Sequence, residues 1–163
     1  MSTSLSDLRD RVRAAFIKGQ PNGWLSGWAT DRHFSQFAQL VSPYMAVNVT
    51  SFDYAACNRF EVRTTVLPDG RYATLSVLLS FLADMYVLHW TIYDVDGTTG
   101  HVLGAPPSVD DENLQQMVER WLANLAFTRM PDDWYNTEID VHLELSGDRH
   151  VTLGKCLFQD FDG

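Results

Sequence analysis

YATLSVLLSFLADMYVLHWTIYD, residues 72–94, is the longest apolar stretch of this 163-residue chain and decides its fold class. Apolar and polar side chains alternate along it with a period of two, which is the pattern of β-strands rather than of a helix. Thr74, Ser76 and Asp84 interrupt a run that would otherwise have the length of a membrane-spanning helix. We therefore predict two strands, with a reversal near Ala83 and Asp84, and no membrane insertion.

The residues before this stretch extend the predicted sheet. Residues 58–67 alternate between apolar and polar side chains, and residues 68–70, Pro-Asp-Gly, have the composition of a tight reversal. We predict that this strand pairs antiparallel with the one that begins at Tyr72, and that residues 45–52 form a further short strand. The strand that ends near Asp94 carries large side chains on both faces, so we expect it to be central and covered on both sides.

Two amphipathic helices are predicted before the sheet. The first follows an N-cap at Ser4 or Ser6 and ends at Gly19, with arginines on the side away from its apolar stripe. The second follows a cap at Thr30 and stops before Pro43, because the residue before a proline disfavours the helical conformation.

The C-terminal part is predicted to contain one helix and a final hairpin. Ser108 caps the helix at 108–127, whose first turn is acidic and whose apolar stripe belongs to the core rather than to a cofactor site. Residues 138–145 alternate between polar and aliphatic side chains, which predicts a strand with one buried side. Residues 146–148, Ser-Gly-Asp, turn the chain back into a second strand at 150–158.

These elements predict an α+β fold with a mainly antiparallel sheet of about five strands, in the order α-α-β-β-β-α-β-β, and with helices packed on one face. A length of 163 residues favours a single domain. Its predicted parts are a helical N-terminal part at 1–43, a strand meander at 46–94, a helix at 108–127 and a terminal hairpin at 137–158.

The net charge of −9 is distributed unevenly along the chain. Up to Ala83 there are eight Lys and Arg against six Asp and Glu, and from Asp84 onward there are four against fifteen. Acidic surfaces repel nucleic acids and anionic membranes, and they attract basic proteins. We therefore expect a basic protein partner, a toxin or an effector, and neither nucleic acid nor membrane as a partner.

The sequence contains no familiar catalytic, cofactor or metal motif. A Walker loop, a dinucleotide fingerprint, GxSxG, HExxH and paired CxxC are all absent. Cys57 lacks a setting that lowers a thiol pKa, and His89 lies in the apolar run, where a hydrogen-bonded core residue is expected. His142 and His150 are placed across the predicted terminal hairpin, where exposed histidines are typically solvated. We therefore expect no catalytic residue, no cofactor and no metal.

The cysteines and the N-terminus predict a cytoplasmic location. Cys57 and Cys156 match no metal or redox spacing, and we expect both to be free thiols in a reducing compartment. The N-terminal sequence MSTSLSDLRDR has no apolar segment behind a basic start, as a secretory signal would.

The late part of the chain combines aromatic rings with carboxylates. This is the composition of an interface hot spot, in which aromatic rings supply contact area and charges steer the partner. The alternative is that the two rings pack over the helix or the sheet edge. The predicted partner-binding surface comprises Asp132, Asp133, Trp134, Tyr135, Glu138, Asp140, His142 and Glu144.

Three functions fit these observations. The first is a non-catalytic acidic protein that occludes a basic partner, for example an immunity protein or inhibitor that neutralises a toxin such as a nuclease. The second is a chaperone for a secreted effector, since the order helix, three strands, helix, two strands is similar to that of type III secretion chaperones, without their C-terminal helix. The third is a small enzyme or ligand-binding protein whose pocket lies between sheet and helices, lined by Trp90, Trp121 and Tyr93.

Overall fold

The computed structural model describes residues 3–17, 20–21, 33–50 and 55–159. The residues Gly19 and Thr30 and the end of the predicted strand at 45–52 lie outside these ranges. Both N-terminal helices are shorter than predicted, because the first ends at Ala15, where the backbone becomes extended, and the second begins after His33. The helices are α1 (Leu5–Ala15), α2 (Phe34–Val41), α3 (Val109–Asn124), α4 (Asp132–Tyr135) and α5 (Leu153–Leu157). The strands are β1 (Phe16–Ile17), β2 (Gln20–Pro21), β3 (Met45–Asn48), β4 (Cys57–Val66), β5 (Tyr72–Ser80), β6 (Met85–Tyr93), β7 (Gly100–Leu103) and β8 (Thr128–Arg129).

β3 to β7 form an antiparallel sheet in which each strand lies next to the one before it in sequence. The apolar stretch is the hairpin β5–β6, paired from Tyr72 opposite Tyr93 to Leu79 opposite Tyr86. β6 has neighbours on both sides, since β7 and the short parallel strand β8 pair with its outer edge. The predicted α+β class and antiparallel sheet are confirmed. Within the described ranges, no helix has the length and apolarity needed to cross a membrane.

One face of the sheet is covered by α2 and α3. The buried side chains of this α2/α3 core include Val77 from β5, Phe37 from α2 and Leu122 from α3. The Phe37 ring lies 5.5 Å from the ring of Phe60 on β4, which ties α2 to the sheet. α3 begins as predicted at Ser108, whose hydroxyl accepts the backbone N–H of residue 111 at 3.1 Å.

The opposite face is partly covered by α1 and by the C-terminal residues. Leu78 and Val87 alternate with the residues of the α2/α3 core along β5 and β6, and they belong to a second buried cluster. Leu8 and Val12 of α1 join this C-terminal core, together with Leu157 of α5. The prediction that helices pack on one face therefore describes α2 and α3, whereas α1, α4 and α5 lie against the other cluster.

The predicted hairpin at 137–158 is not formed as two strands. Isolated bridges join Glu138 with Thr152 and Leu143 with Gly147, without a continuous ladder between them. The second predicted strand is instead the helix α5, and the Thr152 hydroxyl caps it by accepting the Lys155 N–H at 3.2 Å.

The spacing of the apolar residues explains this difference. Leu153, Cys156 and Leu157 are all buried in the C-terminal core, and positions three and four apart share one side of a helix. A strand would place positions 153 and 156 on opposite sides of the chain. A helix therefore buries all three side chains at once.

Candidate functional site

Asp132 and Asp133, the first predicted partner-binding residues, begin the four-residue helix α4 and are exposed. Side chains that follow the helix hold its backbone in place. Asn136 Nδ2 donates to the Asp132 carbonyl at 3.0 Å, and the Thr137 hydroxyl donates to the Asp133 carbonyl at 2.7 Å. Both carboxylates are thus presented to solvent from a backbone that is held by local hydrogen bonds.

Trp134 and Tyr135 are half-buried and pack against the C-terminal core. The Tyr135 ring stacks on Phe158, with centroids 6.2 Å apart and an interplanar angle of 16°. It also lies directly over Gly154, where any Cβ atom would overlap the ring. Because both rings are half-buried, only their exposed part is available to a partner. The alternative prediction, that the two rings pack against the protein, applies to the buried part.

The predicted alternation of buried and exposed side chains holds for residues 138–144, although these residues are not paired in a continuous strand ladder. Ile139, Val141 and Leu143 are buried in the C-terminal core. Leu145, predicted on the same buried side, is exposed, because the chain turns at residues 144–146. The Ile139 N–H donates to the Val151 carbonyl at 3.0 Å, which fixes this extended segment to the residues before α5. The intervening polar residues, all exposed, are Glu138, Asp140, His142 and Glu144.

The basic first helix contacts this acidic segment. Arg13 Nε lies 2.8 Å from Asp140 Oδ1, and Arg13 also lies 3.6 Å from Asp10 on its own helix. The hydrogen bond from Arg13 lowers the pKa of the Asp140 carboxyl. One of the predicted partner-binding carboxylates is therefore partly neutralised within the chain.

The two histidines of the segment each lie beside a carboxylate. His142 Nδ1 is 2.9 Å from Asp148 Oδ1, and His150 Nδ1 is 3.9 Å from Glu138 Oε1. Since all four side chains are exposed, each pair contributes little to stability. No group of three or more His, Cys, Asp or Glu that is suited to a metal occurs among the residues that the structure describes.

The acidic residues of the second half do not form one flank. Asp111 is buried beside the sheet face that α2 and α3 cover, and Asp110, Glu112 and Glu119 lie on the same helix. The C-terminal segment packs on the opposite face, so the sheet separates the two groups of carboxylates. We call the exposed carboxylates of the C-terminal segment the acidic surface: Asp132, Asp133, Glu138, Asp140, Glu144 and Asp148.

Cys57 is not placed as a nucleophile. Its side chain is buried in the C-terminal core, and burial raises the pKa of the thiol to about 12 in spite of the nearby Arg59. The reactive thiolate is therefore scarce at neutral pH. Cys156 is buried in the same core, and both cysteines are free, as predicted.

A row of polar side chains crosses the sheet on the face that carries Leu78. Arg59 Nη2 lies 3.1 Å from Glu61 Oε1, and the Ser76 hydroxyl donates to the same carboxylate oxygen at 3.5 Å. His89 stands opposite Ser76 on β6 and is half-buried. Burial, and then the charges of two arginines, lower the pKa of His89.

Within the described residues, Ser76 and His89 do not form a nucleophile–base pair, in which the serine hydroxyl would donate to the imidazole. Ser76 donates to Glu61, and His89 makes no hydrogen bond to the part of the chain that the structure describes. His89 was predicted to be a core residue, and the structure corrects its burial, since the side chain is only half-buried. The cause is its place on β6, since it faces the polar row rather than either core.

The same sheet face ends in a cavity of about 390 Å³ around Arg63, Tyr72 and Tyr93. The predicted pocket differs, because Trp90 is buried in the α2/α3 core and Trp121 packs against it, whereas Tyr93 lines this cavity on the opposite face. Sequence reasoning did not identify the cavity. The feature of the sequence that could have predicted it is the set of polar residues on one side of β4, β5 and β6.

Comparison with known proteins gives no relative for this chain. No protein-family model, no curated protein and no solved structure matches it.

Proposed function

We propose that the protein is a non-catalytic acidic binding protein that occludes a basic protein partner, as an immunity protein or inhibitor does for a toxin such as a nuclease. The observation that carries the proposal is the alternation at positions 138–144. Buried Ile139, Val141 and Leu143 anchor this segment, and the polar side chains between them are exposed.

The spacing of these carboxylates suits a basic partner. Glu138 and Asp140 are two residues apart in sequence, so their Cα atoms lie at most roughly 7 Å from one another. This distance is within the Debye length of about 8 Å at physiological ionic strength, so the potentials of neighbouring carboxylates add. Such a field accelerates association with a basic protein and disfavours acidic competitors.

The rigidity of the surface also supports the proposal. The Asn136 and Thr137 side chains hold the backbone of α4, and the Ile139 N–H holds the following segment. A partner therefore does not have to order these residues on binding, which reduces the entropic cost of association. A mobile acidic tail would not have this advantage.

The chemical groups of the chain support binding more than catalysis. The Cys57 thiol is buried with a raised pKa, and Ser76 donates to a carboxylate that is already paired with Arg59. The serine hydroxyl therefore points to Glu61 rather than to His89, which lies opposite it on β6, and a nucleophile needs a base that accepts its proton. The chaperone hypothesis loses support, because the two terminal strands on which its element order depended are not formed.

Binding to the protein encoded beside its gene tests the proposal. We expect saturable binding in titration calorimetry that weakens as salt rises from 50 to 500 mM (roughly the range over which screening becomes strong). The double substitution Asp132→Asn/Asp133→Asn should weaken binding about tenfold or more, since buried interfacial charge pairs cost several kcal/mol when broken.

A matched control removes the same charge from the other face. Asp110 and Glu112 are exposed in the first turn of α3, as Asp132 and Asp133 are in the first turn of α4. Asp110→Asn/Glu112→Gln should therefore leave the affinity within about twofold. Equal losses in the two variants would mean that only net charge matters, and the proposed surface would be wrong.

A further inference from the structure

The cavity beside Arg63 contains a guanidinium group that has no acidic partner among the residues that the structure describes. The Arg63 guanidinium carbon lies 3.7 Å from the centroid of the Tyr72 ring, and this stacking is the only interaction of its charged group with the described residues. Its planar N–H donors therefore stay available in the cavity. A guanidinium with free donors is suited to hold a carboxylate through two parallel hydrogen bonds.

Among the described residues that line the cavity, two side chains carry a charge, those of Glu61 and Arg63. Glu61 also lines the cavity, but its carboxylate is bound by Arg59 at 3.1 Å. The charges of Arg59 and Glu61 cancel, so the positive charge of Arg63 is the net charge of these three side chains. One positive charge suits a monoanion better than a dianionic phosphate, which is typically bound by several cations.

The aromatic part of the cavity is held in a fixed position. The rings of Tyr72 and Tyr93 stack with centroids 5.5 Å apart. Two glycines make room for them: a Cβ on Gly97 would lie 2.8 Å from the Tyr72 hydroxyl, and a Cβ on Gly100 would lie 2.8 Å from the Tyr93 ring. The stack Arg63–Tyr72–Tyr93 is therefore preorganised, which reduces the cost of binding a ligand.

The remaining wall is apolar. Met45 and Val47 of the edge strand β3 line the cavity and remain 73% and 46% exposed. The volume of about 390 Å³ lies within the range of small-molecule sites. A ligand that covered these two side chains would gain the free energy of apolar burial in addition to the charged contact.

The geometry points to a binding site for a small aromatic carboxylate, with its carboxylate on Arg63 and its ring against the apolar side chains of Met45 and Val47. The Thr74 hydroxyl, which lies between Arg63 and Thr91 across the strands, offers a hydrogen bond to a polar substituent. This site is separate from the acidic surface and does not depend on it. Its ligand carries the opposite charge to the proposed protein partner.

The probe for the test is 2-naphthoate, with neutral 2-naphthamide as its matched control. Titration followed by two-dimensional NMR should give saturable shifts at Thr74 and at Tyr72 and Tyr93. A dissociation constant on the order of 1 mM or tighter is expected from the usual efficiency of small ligands. The amide should bind about tenfold more weakly, because it cannot form the charged hydrogen bonds.

Variants decide whether Arg63 carries the recognition. Arg63→Gln should weaken 2-naphthoate binding about tenfold or more, and Arg63→Lys should lie between, since lysine keeps the charge but not the planar donors. Arg71→Gln is the control, because Arg71 is exposed nearby and paired with Asp69 at 2.7 Å. It should change the affinity by less than about twofold.

Three results would each overturn the proposal. They are the absence of saturable shifts up to the solubility limit of 2-naphthoate, equal affinity for the carboxylate and the amide, and unchanged affinity in Arg63→Gln. The spectrum of the unliganded variant serves as the check that it is folded. The acidic-surface variant Asp132→Asn/Asp133→Asn should bind 2-naphthoate as the parent does, which separates this test from that of the proposed function.

Discussion

Arg13 Nε and Asp140 Oδ1 lie 2.8 Å apart and join the basic first helix to the acidic C-terminal segment. The two residues are 127 positions apart in sequence. Their contact means that the positive charge of the first half and the negative charge of the second half do not act independently at the surface. The uneven charge distribution predicted from the sequence is therefore partly neutralised at this contact.

Removal of this contact should change the titration of Asp140. The hydrogen bond from Arg13 lowers the pKa of Asp140, so Arg13→Gln should raise it towards the ordinary value of 3.8. Because the folded pKa is lowered, the small stabilisation by this pair is present above pH 3.8 and is lost as the pH falls through the folded pKa. NMR titration of the carboxyl carbon measures the shift. Arg11→Gln should leave the titration unchanged, because the Arg11 side chain donates to the Leu82 carbonyl at 3.5 Å instead of to Asp140.

Two adjacent threonines should respond in opposite ways to replacement by valine. The Thr65 hydroxyl donates to the buried carboxylate of Asp111 at 3.1 Å. Thr65→Val leaves this carboxylate without its donor and should cost about 1 to 3 kcal/mol in the free energy of unfolding. The Thr64 hydroxyl is buried without a hydrogen bond in the part of the chain described, so Thr64→Val should be neutral or stabilising by up to about 1 kcal/mol.

Urea unfolding of the two variants under the same conditions measures this difference. A loss of stability in Thr64→Val equal to that in Thr65→Val would show that the Thr65–Asp111 hydrogen bond does not determine the result.

A side chain at position 154 should disturb the packing of Tyr135. Gly154→Ala places a Cβ atom in the Tyr135 ring, and overpacking of a core typically costs about 1 to 3 kcal/mol. Gly104 is the matched control, since a Cβ there would meet no atom within 4 Å. Gly104→Ala should change stability by less than about 0.5 kcal/mol. Thermal unfolding of both variants, with Tyr135→Leu added to Gly154→Ala, tests whether the smaller side chain restores stability.

The buried cysteines should be unreactive in the folded protein. Burial raises the pKa of Cys57 from 9.0 to about 12, so its thiolate is scarce at pH 8. Native protein should react slowly with a disulfide reagent such as DTNB, and both thiols should react rapidly in urea. Fast reaction of Cys57 without denaturant would contradict its burial.

The same thiol should make stability depend on alkaline pH. The folded pKa lies above the unfolded one, so the stabilisation is complete below pH 9.0 and is lost as the pH rises towards 12. Cys57→Ala should remove this contribution and flatten the decline, which urea unfolding between pH 8 and pH 10.5 measures.

Local patterns in the sequence were sufficient for the hairpin β5–β6 and for the start of α3. Alternation with period two reports which side of a strand is buried, and Ser108 caps a helix through atoms three residues away. The exposure of Glu138 and Asp140 follows from the same alternation. It holds even though the chain there is not paired as a strand, because burial of Ile139 and Val141 alone sets the direction of the side chains.

The same patterns did not distinguish a strand from a helix at residues 153–157. The segment is short, and only the space in the C-terminal core for Leu153, Cys156 and Leu157 selects the helix. The sequence patterns also did not show that α3 and the C-terminal segment pack on opposite faces of the sheet. This packing separates the carboxylates of α3 from those of the C-terminal segment.

The sequence by itself determined the α+β class, the central hairpin and which side chains of residues 138–144 face solvent. These properties depend on neighbours a few residues apart. Only the tertiary structure decided the contact of Arg13 with Asp140 and the cavity at Arg63, Tyr72 and Tyr93. The cavity residues come from four strands and one loop, and their distances depend on strand register and on the glycines beside the rings.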